Sequence, residues 1–207
     1  MKTFLVLGAG TPGTMIARKM AKTLDSSQWK VILVDRTDLH YYQPGFLFVP
    51  FGMYGKDDVV QPNKKFVARG VEYVISGIEQ LDPAENRVTL ANGRVINYDY
   101  LVIATGPKLA FDEIEGFGPA GNTESICTID HAEKAYASWQ SFVADPGPIV
   151  VGATQGASCF GPAYEFAFIM DADLRKRRLR SKVPMTYVTS EPYIGHLGLG
   201  GVGDSKT

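Results

Sequence analysis

An α/β fold with two strand–helix–strand units is predicted from three observations. A glycine-rich turn joins an apolar strand to an amphipathic helix at the N-terminus, a second strand–helix–strand pattern lies near the C-terminus, and an Asn-Gly hairpin signal separates them. Thr3 to Leu7 is a β-branched and apolar run ending at Gly8. Ile16, Ala17, Met20, Ala21 and Leu24 then recur at helical spacing, and a second apolar run, Lys30 to Val34, ends at Asp35. Strand, helix and strand in that order make a parallel pair with a right-handed crossover.

Arg87 to Ala91 and Arg94 to Tyr98 flank Asn92-Gly93, so a tight hairpin turn is expected, since both central residues tolerate positive φ. Tyr100 to Ala104 reads as a buried strand. Strands are expected again at Ile149 to Val151 and Met185 to Thr189, with a helix from about Cys159 to Leu174 between them. This second unit is incomplete, because a parallel sheet needs further strands and helices to cover its faces. The division expected is a first domain over residues 1–110 and the start of a second over 111–207.

The chain has 207 residues, 45% of them hydrophobic and 21% charged, a composition able to bury a core. Its formal net charge of -1 provides no global field toward nucleic acid, and no nucleic-acid partner is expected. Arg175, Lys176, Arg177, Arg178, Arg180 and Lys182 crowd the end of the second helix. Cations there complement the helix dipole, which makes them a solvated helix end or a contact for anionic lipid or a partner. Met1 and Lys2 lead directly into a strand, so no signal peptide is expected. The uncharged stretch from Leu39 to Gly55 is broken by Pro44, Gly45, Pro50 and Gly52 and cannot span a bilayer as a helix.

Gly8-Ala9-Gly10-Thr11-Pro12-Gly13 fits G-x-G-x-x-G in its proper context, a strand before, a helix after and Asp35 about twenty residues on. Gly8 permits the tight turn, Gly10 lets the backbone approach a pyrophosphate, and Gly13 lets helix and strand pack closely. The helix N-terminus favours phosphate, and Asp35 is placed to accept hydrogen bonds from a ribose diol. A Rossmann-like site for the ADP part of a dinucleotide follows, with NAD and FAD both open at this point.

Near the C-terminus, a strand leads into Gly152-Ala153-Thr154-Gln155-Gly156, which unlike the first turn has Thr154 in place of the central glycine. A side chain there obstructs a pyrophosphate, so a nicotinamide cofactor is disfavoured. Cys159 follows at the mouth of a helix, where a thiolate gains from the dipole. Taken alone, Cys159 reads equally as an inert packed thiol, and Cys127, the other of the chain's 2 cysteines, as a small buried hydrophobe. A disulfide framework and a metal site are not indicated.

Tyr98 to Gly106, which ends in Ala104-Thr105-Gly106 after the hairpin, resembles the second fingerprint of flavoproteins with two dinucleotide-binding domains. With the Tyr42 to Gly52 stretch, Cys127, the Gly156 to Glu165 segment and Glu191-Pro192-Tyr193-Ile194-Gly195-His196, the whole chain resembles the N-terminal half of a sulfide:quinone oxidoreductase related to flavocytochrome c sulfide dehydrogenase. The resemblance implies a Rossmann-like FAD-binding domain with a parallel sheet and a β-meander, plus an incomplete second Rossmann-like domain. It implies FAD as cofactor, held by Gly8, Ala9, Gly10, Thr11, Pro12, Gly13, Asp35, Arg36, Gln43, Gly77, Ile78, Ala104, Thr105 and Gly106. Cys159 would be one of two redox-active cysteines near the flavin ring, with Cys127 assisting the sulfur chemistry. Glu165, His131 and His196 match positions tied to proton handling, and read alone they are also surface or helix-capping residues.

Hydrogen sulfide and a membrane quinone are the partners the resemblance implies. The C-terminal half of such an enzyme would hold the partner cysteine, the quinone pocket and a peripheral membrane anchor, and homo-oligomerisation is left open. The ring-rich stretch Tyr41, Tyr42, Phe46, Phe48, Phe51 and Tyr54 reads as core, as a cofactor lid or as a path for quinone. A non-catalytic FAD-binding module and an NADH:quinone dehydrogenase-like flavoprotein are the alternative functions.

Overall fold

The computed structural model of the protein describes residues 1–157 and 159–196. They fall into two compact units, Met1–Tyr42 with Asp57–Ile114, and Gln43–Lys56 with the described residues from Glu115 onward. A boundary near residue 110 separates the two only when the excursion of Gln43–Lys56 is counted with the second.

In the first unit, β1 (Lys2–Leu7), α1 (Thr11–Thr23) and β2 (Trp29–Asp35) form the expected strand–helix–strand. Short strands β3 (Leu39–Tyr41) and β4 (Val60–Pro62), with the single turn α2 (Lys56–Val59) before β4, pair antiparallel. Next come β5 (Val71–Ile75), β6 (Ile78–Asp82), β7 (Arg87–Leu90), β8 (Val95–Asn97) and β9 (Tyr100–Ile103). The main sheet has the order β5-β2-β1-β9 and is parallel throughout, while β6-β7-β8 is an antiparallel meander.

Alternation along β1 and β2 explains the layers. Leu5, Leu7, Ile32 and Val34 face one way and pack with Val88, Leu90 and Ile96 of the meander. Val6, Val31 and Leu33 face the other way, with Ala9 and Ala17 of the turn and α1. Both faces of the central strands are therefore covered, as a parallel sheet requires.

Two details differ from expectation. Tyr100–Ile103 is an edge strand rather than a buried one: Tyr100 is 56% and Ile103 61% exposed, because only β1 pairs with it among the described residues. The hairpin has a three-residue loop closed between Leu90 and Arg94, and only Gly93 takes positive φ. The Gly93 N–H donates to the Leu90 carbonyl at 2.8 Å, and the Arg94 N–H donates to Asn92 Oδ1 at 3.0 Å.

In the second unit, a 3-10 helix (Gln43–Phe51) buries Phe46, Leu47, Val49 and Phe51. It is followed by α3 (Ile129–Ala144), β10 (Ile149–Ala153), α4 (Gly161–Lys176) and β11 (Met185–Thr189), and β10 and β11 pair in parallel. Helix α4 starts two residues later than expected, since Pro162 fits its first turn and leaves Cys159 and Phe160 ahead of it. Phe51, Trp139, Met170, Leu174 and Val183 form the core. Asp173, 5% exposed, accepts from Trp139 Nε1 at 2.8 Å and from Arg177 Nε at 2.6 Å, joining α3 to α4.

Beyond α4 the Leu179 N–H returns to the Leu174 carbonyl and the Arg178 N–H to that of Arg175, a Schellman motif with Arg178 at φ 61°. Arg175 and Arg180 both bind Asp171, whose carboxyl these two hold below its usual range. Much of the basic cluster thus closes the helix end.

Candidate functional site

Parallel pairing puts the carboxyl ends of β1, β2, β5 and β9 on one edge of the first unit's sheet. Backbone bonds extend that row past the strands: Gly8 N–H to Val34 O, Ala104 N–H to Leu7 O and Ser76 N–H to Asp35 O, at 2.8, 2.7 and 2.7 Å. The Gly8–Gly13 turn, Asp35 and Arg36, Gly77 and Ile78, and Ala104, Thr105 and Gly106 therefore share one edge, although a hundred residues of chain separate the first from the last. In open α/β sheets ligands bind at this edge.

The three glycines of the turn differ in kind. A Cβ on Gly8, at φ +98°, would stand 2.2 Å from the Ala104 carbonyl oxygen, and one on Gly13 would stand 1.8 Å from the Gly8 oxygen. Gly8 is required by the closeness of the chain that follows β9, and Gly13 by the closeness of α1 to the end of β1. A Cβ on Gly10 would meet nothing within 4 Å, so its exposed backbone is open to a ligand. Gly10 is also the N-cap of α1, with no side-chain cap and no acidic residue in the first turn. The positive end of the helix dipole is left to an outside anion.

Asp35 is fixed by two backbone donors. Its Oδ2 accepts from the Ala9 N–H at 2.6 Å and its Oδ1 from the Thr37 N–H at 3.2 Å. Each carboxylate oxygen can accept more than one bond, so both retain capacity toward ribose hydroxyls. Ser76, 8% exposed, receives the Asn92 N–H on its hydroxyl at 3.3 Å and so ties the Gly77 corner to the meander. These groups fit the ADP portion of a dinucleotide.

The remaining candidates lie in the second unit. Gln43 opens the 3-10 helix and is exposed. Cys127 and Cys159 are free, exposed thiols. Cys127 precedes Thr128, the N-cap of α3, whose hydroxyl accepts the His131 N–H at 3.2 Å, so His131 lies in the first turn of that helix. Cys159 lies at the mouth of α4, its Sγ 3.8 Å from where a Cβ on Gly161 would stand. Glu165 is exposed on α4. His196 follows β11, its buried Nδ1 without a partner among the described residues and its ring edge-on to Tyr193 at 5.1 Å.

One network escaped the sequence reading. Tyr164 of α4 donates to Glu191 Oε2 at 2.6 Å, Thr189 Oγ1 donates to the same oxygen at 2.8 Å, and the Gly195 N–H donates to Tyr164 Oη at 2.9 Å. Tyr187 packs on Tyr164 at 4.5 Å, and burial foremost, with Tyr164 and Glu191 nearby, pushes its hydroxyl up to about 12. Its partners are distant in sequence, and no local pattern announces them.

Residues 2–158 match the family model for pyridine nucleotide-disulphide oxidoreductases. The chain belongs to this family. Within these oxidoreductases it is similar to the sulfide-quinone reductase of Aquifex aeolicus, 41% identical over 206 residues, which are 99% of this chain and 47% of that protein. The mitochondrial sulfide:quinone oxidoreductase of Dictyostelium discoideum is 28% identical over 88% of this chain and 41% of its own. The crystal structure of the Aquifex aeolicus sulfide:quinone oxidoreductase superposes with a TM-score of 0.86 at 40% identity, over 98% of this chain and 46% of that one. The NDH2 of Plasmodium falciparum, at TM-score 0.60 and 15% identity over 90% of this chain and 41% of that one, shares the fold alone. The chain spans about half the length of the curated relatives it matches. The expected α/β architecture, with its parallel sheet and meander, is what the structure has.

Proposed function

We propose that this chain is the FAD-binding N-terminal part of an enzyme that oxidises sulfide and passes the electrons to a quinone. The observation that carries the reading is its 41% identity, along 99% of its length, to a sulfide-quinone reductase. The open approach over Gly10, the uncapped N-terminus of α1 and the fixed Asp35 carboxylate support an ADP-bearing dinucleotide, and Ala104-Thr105-Gly106 on the same edge, with Thr154 in place of a glycine in the second unit, favours FAD.

Bound FAD supplies an acceptor for two electrons. Glycine turn and helix end hold its pyrophosphate, and Asp35 orients its ribose. Cys159 would carry the sulfur chemistry: hydrosulfide would attack the sulfur–sulfur bond that joins Cys159 to a partner sulfur, and that bond would break as the new one forms, leaving a persulfide and a thiolate. Reclosure of the bridge around the added sulfur would release a proton and two electrons. Cys127 takes part in passing sulfur onward. Quinone takes up two electrons and two protons, and Glu165, His131 and His196 are the proposed proton carriers. The quinone makes the whole protein a peripheral membrane enzyme; no described helix is long and apolar enough to cross a bilayer.

Anaerobic flavin spectra test this. Sulfide is expected to bleach the flavin and NADH to leave it oxidised, and Cys159→Ala to abolish the bleaching with flavin still bound. Bleaching by NADH alone supports the NADH:quinone reading, and bound flavin unresponsive to both supports a binding module. Sulfide-dependent quinone reduction unchanged in Cys159→Ala would falsify the role of the thiol.

A further inference from the structure

We infer that Tyr164 and Glu191 are positioning residues, a clasp that holds the loop bearing His196 against the helix whose mouth bears Cys159. The inference rests on the sulfide reading for its chemistry and on the second unit's own geometry for its structure.

Because β10 and β11 are parallel, the loops that leave their carboxyl ends emerge at one edge. One carries residues 154–160 into α4 and includes Cys159; the other carries residues 190–196 and includes His196. Tyr164, four residues into α4, reaches the second loop at two points. Its hydroxyl proton goes to Glu191 Oε2 at 2.6 Å, and its oxygen receives the Gly195 N–H at 2.9 Å, one residue before His196. A hydroxyl has one proton to give and lone pairs to accept with, and both capacities are engaged.

Glu191 is anchored in turn. Its Oε2 also accepts from Thr189 Oγ1 at 2.8 Å, and its own N–H donates to that oxygen at 3.2 Å, which fixes it to the last residue of β11. The ring of Tyr187 lies tilted against that of Tyr164 at 4.5 Å and limits its rotation. Strand, loop and helix mouth are thereby locked together by side chains that have no part in sulfur or electron transfer. Among the described residues, the bonds of His196 within the loop are a 3.3 Å backbone contact to Tyr193 and a ring edge, so the lock is what ties it to the helix.

The test uses the flavin-loaded full-length protein with Tyr164→Phe and Glu191→Gln, which keep ring and volume. Amide exchange at Gly195 and His196 is expected to quicken about tenfold in Tyr164→Phe, with the amides of α4 unchanged. Sulfide-dependent quinone reduction should lose on the order of tenfold in kcat at an unchanged KM for sulfide, with flavin content retained. Peptide-resolved alkylation of Cys159 should change rate in the same variant, and Glu191→Gln should reproduce these effects in weaker form. Full kcat in both variants, in a wild type that sulfide bleaches, overturns the clasp and leaves the sulfide reading intact. Unchanged exchange at Gly195 also overturns it. A wild type that sulfide does not bleach overturns the sulfide reading and the positioning role with it.

Discussion

Replacing Gly10 by alanine should leave the fold intact and remove dinucleotide binding. The new methyl meets no atom of the protein within 4 Å, and Gly10 has φ -66° and ψ -172°, a backbone conformation alanine adopts freely. The stability cost is that of alanine in place of glycine at an N-cap, under about 1 kcal/mol. On the proposed placement the same methyl would lie in the path of a pyrophosphate that must approach the backbone closely, so FAD affinity should fall at least on the order of a hundredfold, about 2.7 kcal/mol. Gly13→Ala is the opposite case. Its Cβ would stand 1.8 Å from the Gly8 oxygen, and since that atom is backbone, α1 must move away from β1. Such overpacking costs about 1–3 kcal/mol before any ligand is considered. Urea melts of the flavin-free protein and fluorescence titration with FAD separate the two terms. Gly10→Ala binding FAD with unchanged Kd would refute the placement of the pyrophosphate over Gly10.

Three further outcomes follow from the structure. Asp173→Ala leaves the Trp139 indole N–H and the Arg177 guanidinium without their shared acceptor in a site 5% exposed, and urea unfolding should show a loss of about 3 kcal/mol. Arg178→Gly relieves a positive φ of 61° at the end of α4 while keeping the Schellman bonds, and should raise stability by about 1 kcal/mol in the same assay. Tyr187 bears on alkaline pH. Its hydroxyl titrates near 10 when unfolded and at about 12 when folded, so above pH 10 the unfolded chain loses the proton first and stability falls as pH rises toward 12. The fall should be absent in Tyr187→Phe; an identical alkaline profile in that variant would sink the assignment.

Local pattern and remote partner divide what was legible in the sequence from what was not. The glycine turn, its helix and Asp35 could be read because each requirement is met within a few residues: a strand ending at Gly8, a helix of period 3.6, an acid at the end of the next strand. The meander was legible through Asn92-Gly93, although its loop type was decided by the closing pair Leu90 and Arg94. Strand β5 and helix α3 lacked such marks, the first being a short run with Glu72 and Tyr73 inside it. At Glu72 burial alone would raise the carboxyl, yet hydrogen bonds and charge from Lys30 and Arg94 outweigh it and hold the group below its usual range. Neither partner is a sequence neighbour.

By itself the sequence determined the α/β architecture, the turn that can hold a pyrophosphate and the presence of cysteine at a helix mouth, because these depend on periodicity and on residues close along the chain. Tertiary structure alone decided that a side chain at Gly8 would meet the Ala104 carbonyl, since that contact joins residues remote in the sequence. It also decided that residues 43–56 leave the first unit for the core of the second, where the apolar side chains Phe46, Leu47, Val49 and Phe51 are buried. Joining Tyr164 to Glu191 across twenty-seven residues was decided there too, because such a bond depends on two parallel strands delivering their loops to one edge.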